Sequence, residues 1–212
     1  MRIIPLDLNK DYSDVVLEAI NTLEKGGVVV YPTDTLYGLG VNALDSWAVE
    51  KIFKIKKRGL SKPLPIIVRD VEWVKELAYI DPWHKKIFKK IWPGRVTAVL
   101  SKREIIPDVV TANNPTIGIR VPSYPFIDFL LKKYGYPLTS TSANISGQEP
   151  TNNIHDIIQL FAKESIRPDL VIDAGILPPP QPDTVLDLTS RQPKILRVGP
   201  SKPAELLKLL EI

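Results

Sequence analysis

The sequence predicts an α/β protein, a single domain built on a twisted, open sheet of mixed parallel and antiparallel strands flanked by helices. Three observations lead there. From residue 28 onward, short apolar runs of strand length alternate with amphipathic stretches of helix length, the pattern of a sheet covered by helices. After residue 168 the strand candidates crowd together, which leaves no room for a helical crossover between each pair and makes part of the sheet antiparallel. A chain of 212 residues lies within the size of one large domain and buries roughly 70% of its unfolded surface without staples or metal.

The elements follow in order. Residues 13–25 place Val16, Ile20 and Leu23 on one face and stop at Gly26 and Gly27, as a capped amphipathic helix does. The apolar run at 28–31 is a buried strand. Residues 46–57 turn Val49, Ile52 and Phe53 inward as a second helix, with Gly59 after its end, and a strand follows at 64–68. Residues 71–78 and 81–91 read as two more helices, the second with Asp81 as cap and Pro82 in the first turn, where a missing N–H does no harm. Strands are expected at 95–101, 116–121, 137–141, 170–174, 184–188 and 194–198. Helices are expected at 126–134 and 154–164, with a last one at 203–211. The stretch PPPQP at 178–182 is a stiff connector, too short and too late to mark a second domain.

Composition removes several classes of chemistry. With no cysteine there are no disulfides, Cys-ligated zinc sites, iron–sulfur clusters or thiol nucleophiles, and two histidines, His84 and His155, do not suit a His-rich metal site. The N-terminal stretch carries acids among its apolar residues and lacks a signal-peptide core, and no run approaches 18 apolar residues, so a cytoplasmic location is expected. A net charge of +4 favours anionic ligands without separating ATP from RNA.

Four segments are candidates for a site. YPTDTLYGLG, residues 31–40, runs from a buried strand into a loop with Thr33, Asp34, Thr35 and Tyr37. Its glycines lack P-loop spacing and serve either tight turns or a ligand beyond the strand end. KIFKIKKRGLSK, residues 51–62, has six basic residues in twelve. They suit either the negative end of a helix dipole or a phosphate clamp by Lys56 and Arg58, with Lys62 nearby. TIGIRVPSYP puts Thr116, Gly118 and Arg120 on one strand face, where a charge must be paired or exposed; Arg197 poses the same choice. PLTSTSANISGQEPT, residues 137–151, concentrates small hydroxyls, which fit a surface loop or an anion-facing strand end. His84 and His155 read as exposed helix residues, and Trp47, Trp73, Trp83 and Trp92 as packing residues.

Taken together, YPTDTLYGLG, KKRGLSKPLPIIV, WPGRVTAVL, TIGIRVP and STSANISGQEPT resemble, in this order and spacing, the YrdC-type family of threonylcarbamoyl-adenylate synthases. The family's paired signatures, Lys-x-Arg and Ser-x-Asn, fall on Lys56 with Arg58 and on Ser142 with Asn144. The resemblance implies one catalytic domain over 1–212 around a basic concave site, without the extra C-terminal domain of longer members. It implies that L-threonine, bicarbonate and ATP are joined into threonylcarbamoyl-AMP with release of pyrophosphate, the first step toward threonylcarbamoyladenosine in tRNA. A downstream tRNA threonylcarbamoyl-transferase would then take the product. By the same resemblance, Lys56, Arg58, Thr116, Ser142, Asn144 and Arg197 hold ATP with Mg²⁺, Lys62 adds charge near the phosphates, and Thr35, Ser140 and Arg120 hold threonine, Arg120 through its carboxylate.

Two positions depart from the family pattern. Ile67 stands where a histidine is common, and Asp183 precedes Thr184 and Val185 where serine is usual. Isoleucine would add apolar wall to the threonine pocket, and aspartate would accept from the substrate amine or hydroxyl. Rival readings are a double-stranded RNA-binding or ribosome-associated module and a carbamoyl-adenylating enzyme. The zinc fingers that accompany the latter chemistry in larger proteins are absent from a chain without cysteine.

Overall fold

The computed structural model describes residues 1–179 and 183–199. Along the chain run β1 (Arg2–Pro5), α1 (Ser13–Glu24), β2 (Val29–Tyr31), β3 (Gly38–Gly40), α2 (Ser46–Lys56), β4 (Ile66–Ile67), α3 (Val71–Leu77), α4 (Pro82–Ile91) and β5 (Val96–Ser101). These are followed by α5 (Asp108–Thr111), β6 (Thr116–Arg120), α6 (Pro125–Tyr134), β7 (Leu138–Thr139), β8 (Thr141–Ser142), α7 (Ile154–Ala162), β9 (Leu170–Asp173), β10 (Thr184–Asp187) and β11 (Lys194–Arg197). The expected helix at 203–211 and residues 180–182 of the connector lie outside the described residues.

Mixed α/β architecture is as expected, with the strands sorted into two hydrogen-bonded sheets. One has the order β1-β9-β2-β3-β8 and the other β11-β10-β5-β6-β4-β7. In the first, β1, β9 and β2 are parallel and β3 and β8 antiparallel; in the second, β10 runs parallel to β5 and antiparallel to β11. The crowded strands after residue 168 therefore do not form one ladder: β9 joins the first sheet and β10 the second. β2 is buried on both faces. Its alternate residues feed opposite cores, Val30 against α2 and Val29 and Tyr31 toward α1 and α6.

Local chemistry explains most boundaries. Asp45 caps α2 by accepting from the backbone N–H of Trp47 and Ala48. The helix stops at Lys57 in the left-handed region (φ 49°), ahead of the expected Gly59. Asp81 caps α4 in the same way, and His84 closes the capping box. His84 is therefore not a free surface residue: its Nδ1 faces Asp81 Oδ1 at 2.9 Å and its Nε2 faces Leu188 O at 3.1 Å, which ties α4 to the end of β10. His155 is exposed as expected. Trp47 is not packing, since it is 81% exposed; its place in the first turn of α2 points it away from the core.

The glycines of GLG are not turn residues. They form β3, and the Tyr31 ring lies flat across them. A Cβ at Gly38 would sit 2.6 Å from Tyr31 Cε2, and one at Gly40 2.5 Å from Tyr31 Cε1. That close approach lets Tyr31 Oη donate to Thr139 O at 2.8 Å, beside the point where the chain changes sheets.

Candidate active site

The expected strand at 137–141 is broken at Ser140. β7 pairs with β4 in one sheet and β8 with β3 in the other, so residue 140 is the crossing between them. Its N–H donates to Pro65 O at 2.7 Å. The hydroxyl run is thus a sheet junction. The cavity beside it, about 500 Å³, is lined by the loop after β2, Gly38 of β3, the loop after α2, Ser140–Ser142, one face of β5, β6 and β10, and Leu196 and Arg197 of β11. The period of two on that face explains the set: Thr97 and Val99, then Thr116, Gly118 and Arg120, then Asp183 and Val185.

Eight of the expected residues line this cavity: Thr35, Arg58, Thr116, Arg120, Ser140, Ser142, Asp183 and Arg197. Three do not. Lys62 is exposed, and its carbonyl accepts from Arg58 Nε at 3.3 Å. Lys56 and Asn144 are buried behind the lining, at 2% and 7% exposure. Lys56 Nζ donates to Ser142 O at 2.5 Å, Asn144 O at 2.8 Å and Asn144 Oδ1 at 3.0 Å; Ser142 Oγ also donates to Asn144 Oδ1, at 2.7 Å. The ammonium's three donors are taken by three acceptors, so Lys56 braces the 142–144 turn. Burial, with Arg58 adding repulsion, pushes its pKa down to about 7.

Ile67 is no part of the pocket wall. It is 1% exposed and packs in the core with Tyr31 and Leu138. Strand β4 explains this, because its two residues point to opposite cores.

Arg120 is 3% exposed, and its charge is already matched. Nε donates to Gly94 O at 2.8 Å, Nη1 to Thr35 Oγ1 at 3.2 Å and to Asp183 Oδ1 at 2.7 Å, and Nη2 to Asp34. Asp183 Oδ2 accepts from Thr97 Oγ1 at 3.2 Å. The loop that brings Thr35 and Asp34 here is preorganised by Thr33, whose Oγ1 accepts from the N–H of Thr35 and of Leu36 and donates to Leu36 O. Arg58 donates to Lys62 O and Pro63 O, and Arg197 donates to Asp183 O at 2.9 Å, which sets Arg197 beside the Arg120–Asp183 pair. Those partners are backbone carbonyls, which leave both positive charges uncompensated by them.

Sequence reasoning left Asp34, Thr97 and Thr141 without a role. For Thr97 a signal existed: in RVTAVLS it is the polar residue whose period-two neighbour is Val99. Asp34 was visible as a polar loop residue, but its partner stands 86 positions away. Among the described residues no cluster of three or more His, Asp or Glu is placed to hold a metal, and no helix is long and apolar enough to cross a membrane.

Comparison with known proteins supplies the last observation. The family model Sua5/YciO/YrdC, described as telomere recombination, matches residues 21–199. The chain is 38% identical over 194 residues to a Methanocaldococcus jannaschii protein named "Putative threonylcarbamoyl-AMP synthase", covering 91% of this chain and 90% of that one. In three dimensions it resembles Pyrococcus abyssi Sua5 complexed with L-threonine, with TM-score 0.91 and 32% identity, over 99% of this chain and 61% of that one. Escherichia coli YciO is similar over nearly its whole length, with TM-score 0.84, 30% identity and coverage of 99% and 98%.

Proposed function

The chain belongs to the Sua5/YciO/YrdC family, and from that premise we propose that it is an L-threonylcarbamoyladenylate synthase. The observation that carries this reading is that one cavity gathers two sets of side chains. The first is Arg58, Arg197, Thr116 and Ser142, and the second is Thr35, Ser140, Asp183 and Arg120. The first suits the phosphates of ATP, since arginine's planar fork matches phosphate oxygens. The second suits a small amino acid with a hydroxyl.

The reaction needs little covalent help from the protein. The neutral threonine amine attacks the carbon of bicarbonate, a C–N bond forms, and the departing hydroxide takes an amine proton and leaves as water. A carbamate oxygen then attacks the α-phosphorus of ATP, the bond to the β-phosphate oxygen breaks, and pyrophosphate departs. Holding amine, bicarbonate and α-phosphate in line is the main task. Lys56 and Asn144 serve it indirectly, by fixing the turn that presents Ser142. Mg²⁺ is proposed to enter with ATP, its oxygens supplied by phosphates and water, because Asp34 and Asp183 are committed to Arg120. A cytoplasmic location and a downstream tRNA threonylcarbamoyl-transferase that consumes the product belong to the same proposal.

Pyrophosphate release tests it. The activity is expected only with ATP, L-threonine, bicarbonate and Mg²⁺ together. Equal turnover without threonine refutes the reading. RNA binding that weakens steeply with salt, in the absence of turnover, would instead identify an RNA-binding module.

A further inference from the structure

Tyr31 ends β2 fully buried, in the same core as Ile67 and Leu138, where a phenylalanine would fill the space as well. The hydroxyl is what that core does not need. It donates to Thr139 O at 2.8 Å, and only because Gly38 and Gly40 carry no Cβ can the ring lie close enough to β3 to reach it. Thr139 is pinned on each of its polar groups: its N–H donates to Val41 O at 3.0 Å, its Oγ1 accepts from the Val41 N–H at 3.2 Å, and its carbonyl accepts from Tyr31. Ser140 follows, held through its N–H by Pro65 O at 2.7 Å, and Thr141 and Ser142 then pair with Leu39 and Gly38 in the other sheet. Ser140, Thr141 and Ser142 line the cavity, whereas Tyr31 lies behind the lining. Burial raises the phenol's pKa well above its usual value, against the opposing pull of the Ser140 hydroxyl and Arg120, so the group keeps its proton and its donor role at neutral pH.

Resting on the synthase reading, we propose that Tyr31 is a positioning residue for amino-acid binding: its hydroxyl sets the Thr139–Ser140 crossing, and with it the place of the Ser140 side chain in the cavity, without touching substrate. Removing the hydroxyl leaves a buried carbonyl without this donor, one residue before Ser140. The nucleotide side is placed by other means. Arg58 follows the end of α2, Arg197 lies on β11, and Ser142 has its own brace in Lys56.

The test is calorimetric titration of L-threonine and of MgATP into wild type, Tyr31→Phe, Ser140→Ala, the double variant and Ile67→Val. Tyr31→Phe keeps the ring and its packing, and Ile67→Val trims the same core without deleting the hydroxyl, which reads the effect of looser packing by itself. Tyr31→Phe is expected to weaken threonine binding about fivefold or more while ATP stays within about twofold, because a small displacement is enough to lose an oriented contact. Ser140→Ala is expected to weaken threonine too, and the double variant to bind it within about twofold of the weaker single variant, since both changes act on one contact. Ile67→Val should stay within about twofold for both ligands. Losses that multiply in the double variant overturn the inference. So do unchanged threonine binding in Tyr31→Phe, equal losses for threonine and ATP, or a threonine loss in Ile67→Val as large as in Tyr31→Phe. Pyrophosphate release on the same preparations reads the synthase activity separately. Turnover with multiplying losses sinks the positioning role alone, and threonine-selective, non-multiplying losses without turnover sink the synthase reading alone.

Discussion

Replacing Lys56 by methionine separates a positioning role from a ligand role. The methionine keeps most of the buried volume and removes the three hydrogen bonds to Ser142 O, Asn144 O and Asn144 Oδ1. Asn144 Oδ1 retains Ser142 Oγ and Ser142 O retains the Asn144 N–H, so the loss falls on Asn144 O, at about 1 to 3 kcal/mol. Against this stands the cost of burying an ammonium, visible in a pKa pushed from 10.5 down to about 7. The pH dependence tells the two apart. The unfolded chain binds the Lys56 proton up to 10.5 while the folded protein releases it near 7, so this contribution to stability is full above 10.5 and lost as pH falls to about 7. Between about pH 7 and pH 9 wild type should gain at most about 2 kcal/mol, reduced to the extent that the three acceptors favour the charged form. This window lies below the titration of the buried tyrosines, whose raised pKa values act in the opposite sense at higher pH. Urea unfolding at the two pH values measures the slope. Lys56→Met should lose it, should be less stable by about 1 to 3 kcal/mol at pH 9, and should weaken ATP binding through the displaced turn. An unchanged slope, or full stability with ATP binding lost, would refute the positioning role.

Gly38→Ala drives a methyl into the Tyr31 ring and should cost about 1 to 3 kcal/mol, read as a lower thermal midpoint. Arg58→Ala removes a half-buried side chain bonded to two carbonyls; it should raise the ATP requirement of pyrophosphate release at least about tenfold while leaving the melting temperature nearly unchanged. Arg120→Ala leaves Asp34 and Asp183 facing each other and should destabilise by about 3 kcal/mol, with part recovered in Arg120→Ala/Asp183→Ser, as urea unfolding of both variants would show. Equal stability of the single and double variants would mean that the two carboxylates do not share Arg120.

Much of this protein is local and therefore visible in the order of its residues. Asp81 before Pro82 announces a helix start, Val16 and Leu23 face one core, and the period of two in TIGIR sets Thr116, Gly118 and Arg120 on one face, because each of these depends on backbone geometry within a few residues. The family motifs belong to the same category, and with them the set of residues around the cavity. Tertiary structure decided the roles within that set. Lys56 and Arg58 are two residues apart in one basic run, yet one lies under the Ser142–Asn144 turn and the other lines the cavity, since α2 ends between them. Ser140 became a crossing between sheets and GLG a strand under the Tyr31 ring, because β4, β3 and Tyr31 arrive from distant parts of the chain. The pairing of Arg120 with Asp34 and Asp183 joins positions 86 and 63 residues away, and a buried charge takes whichever partners the fold brings within hydrogen-bond reach.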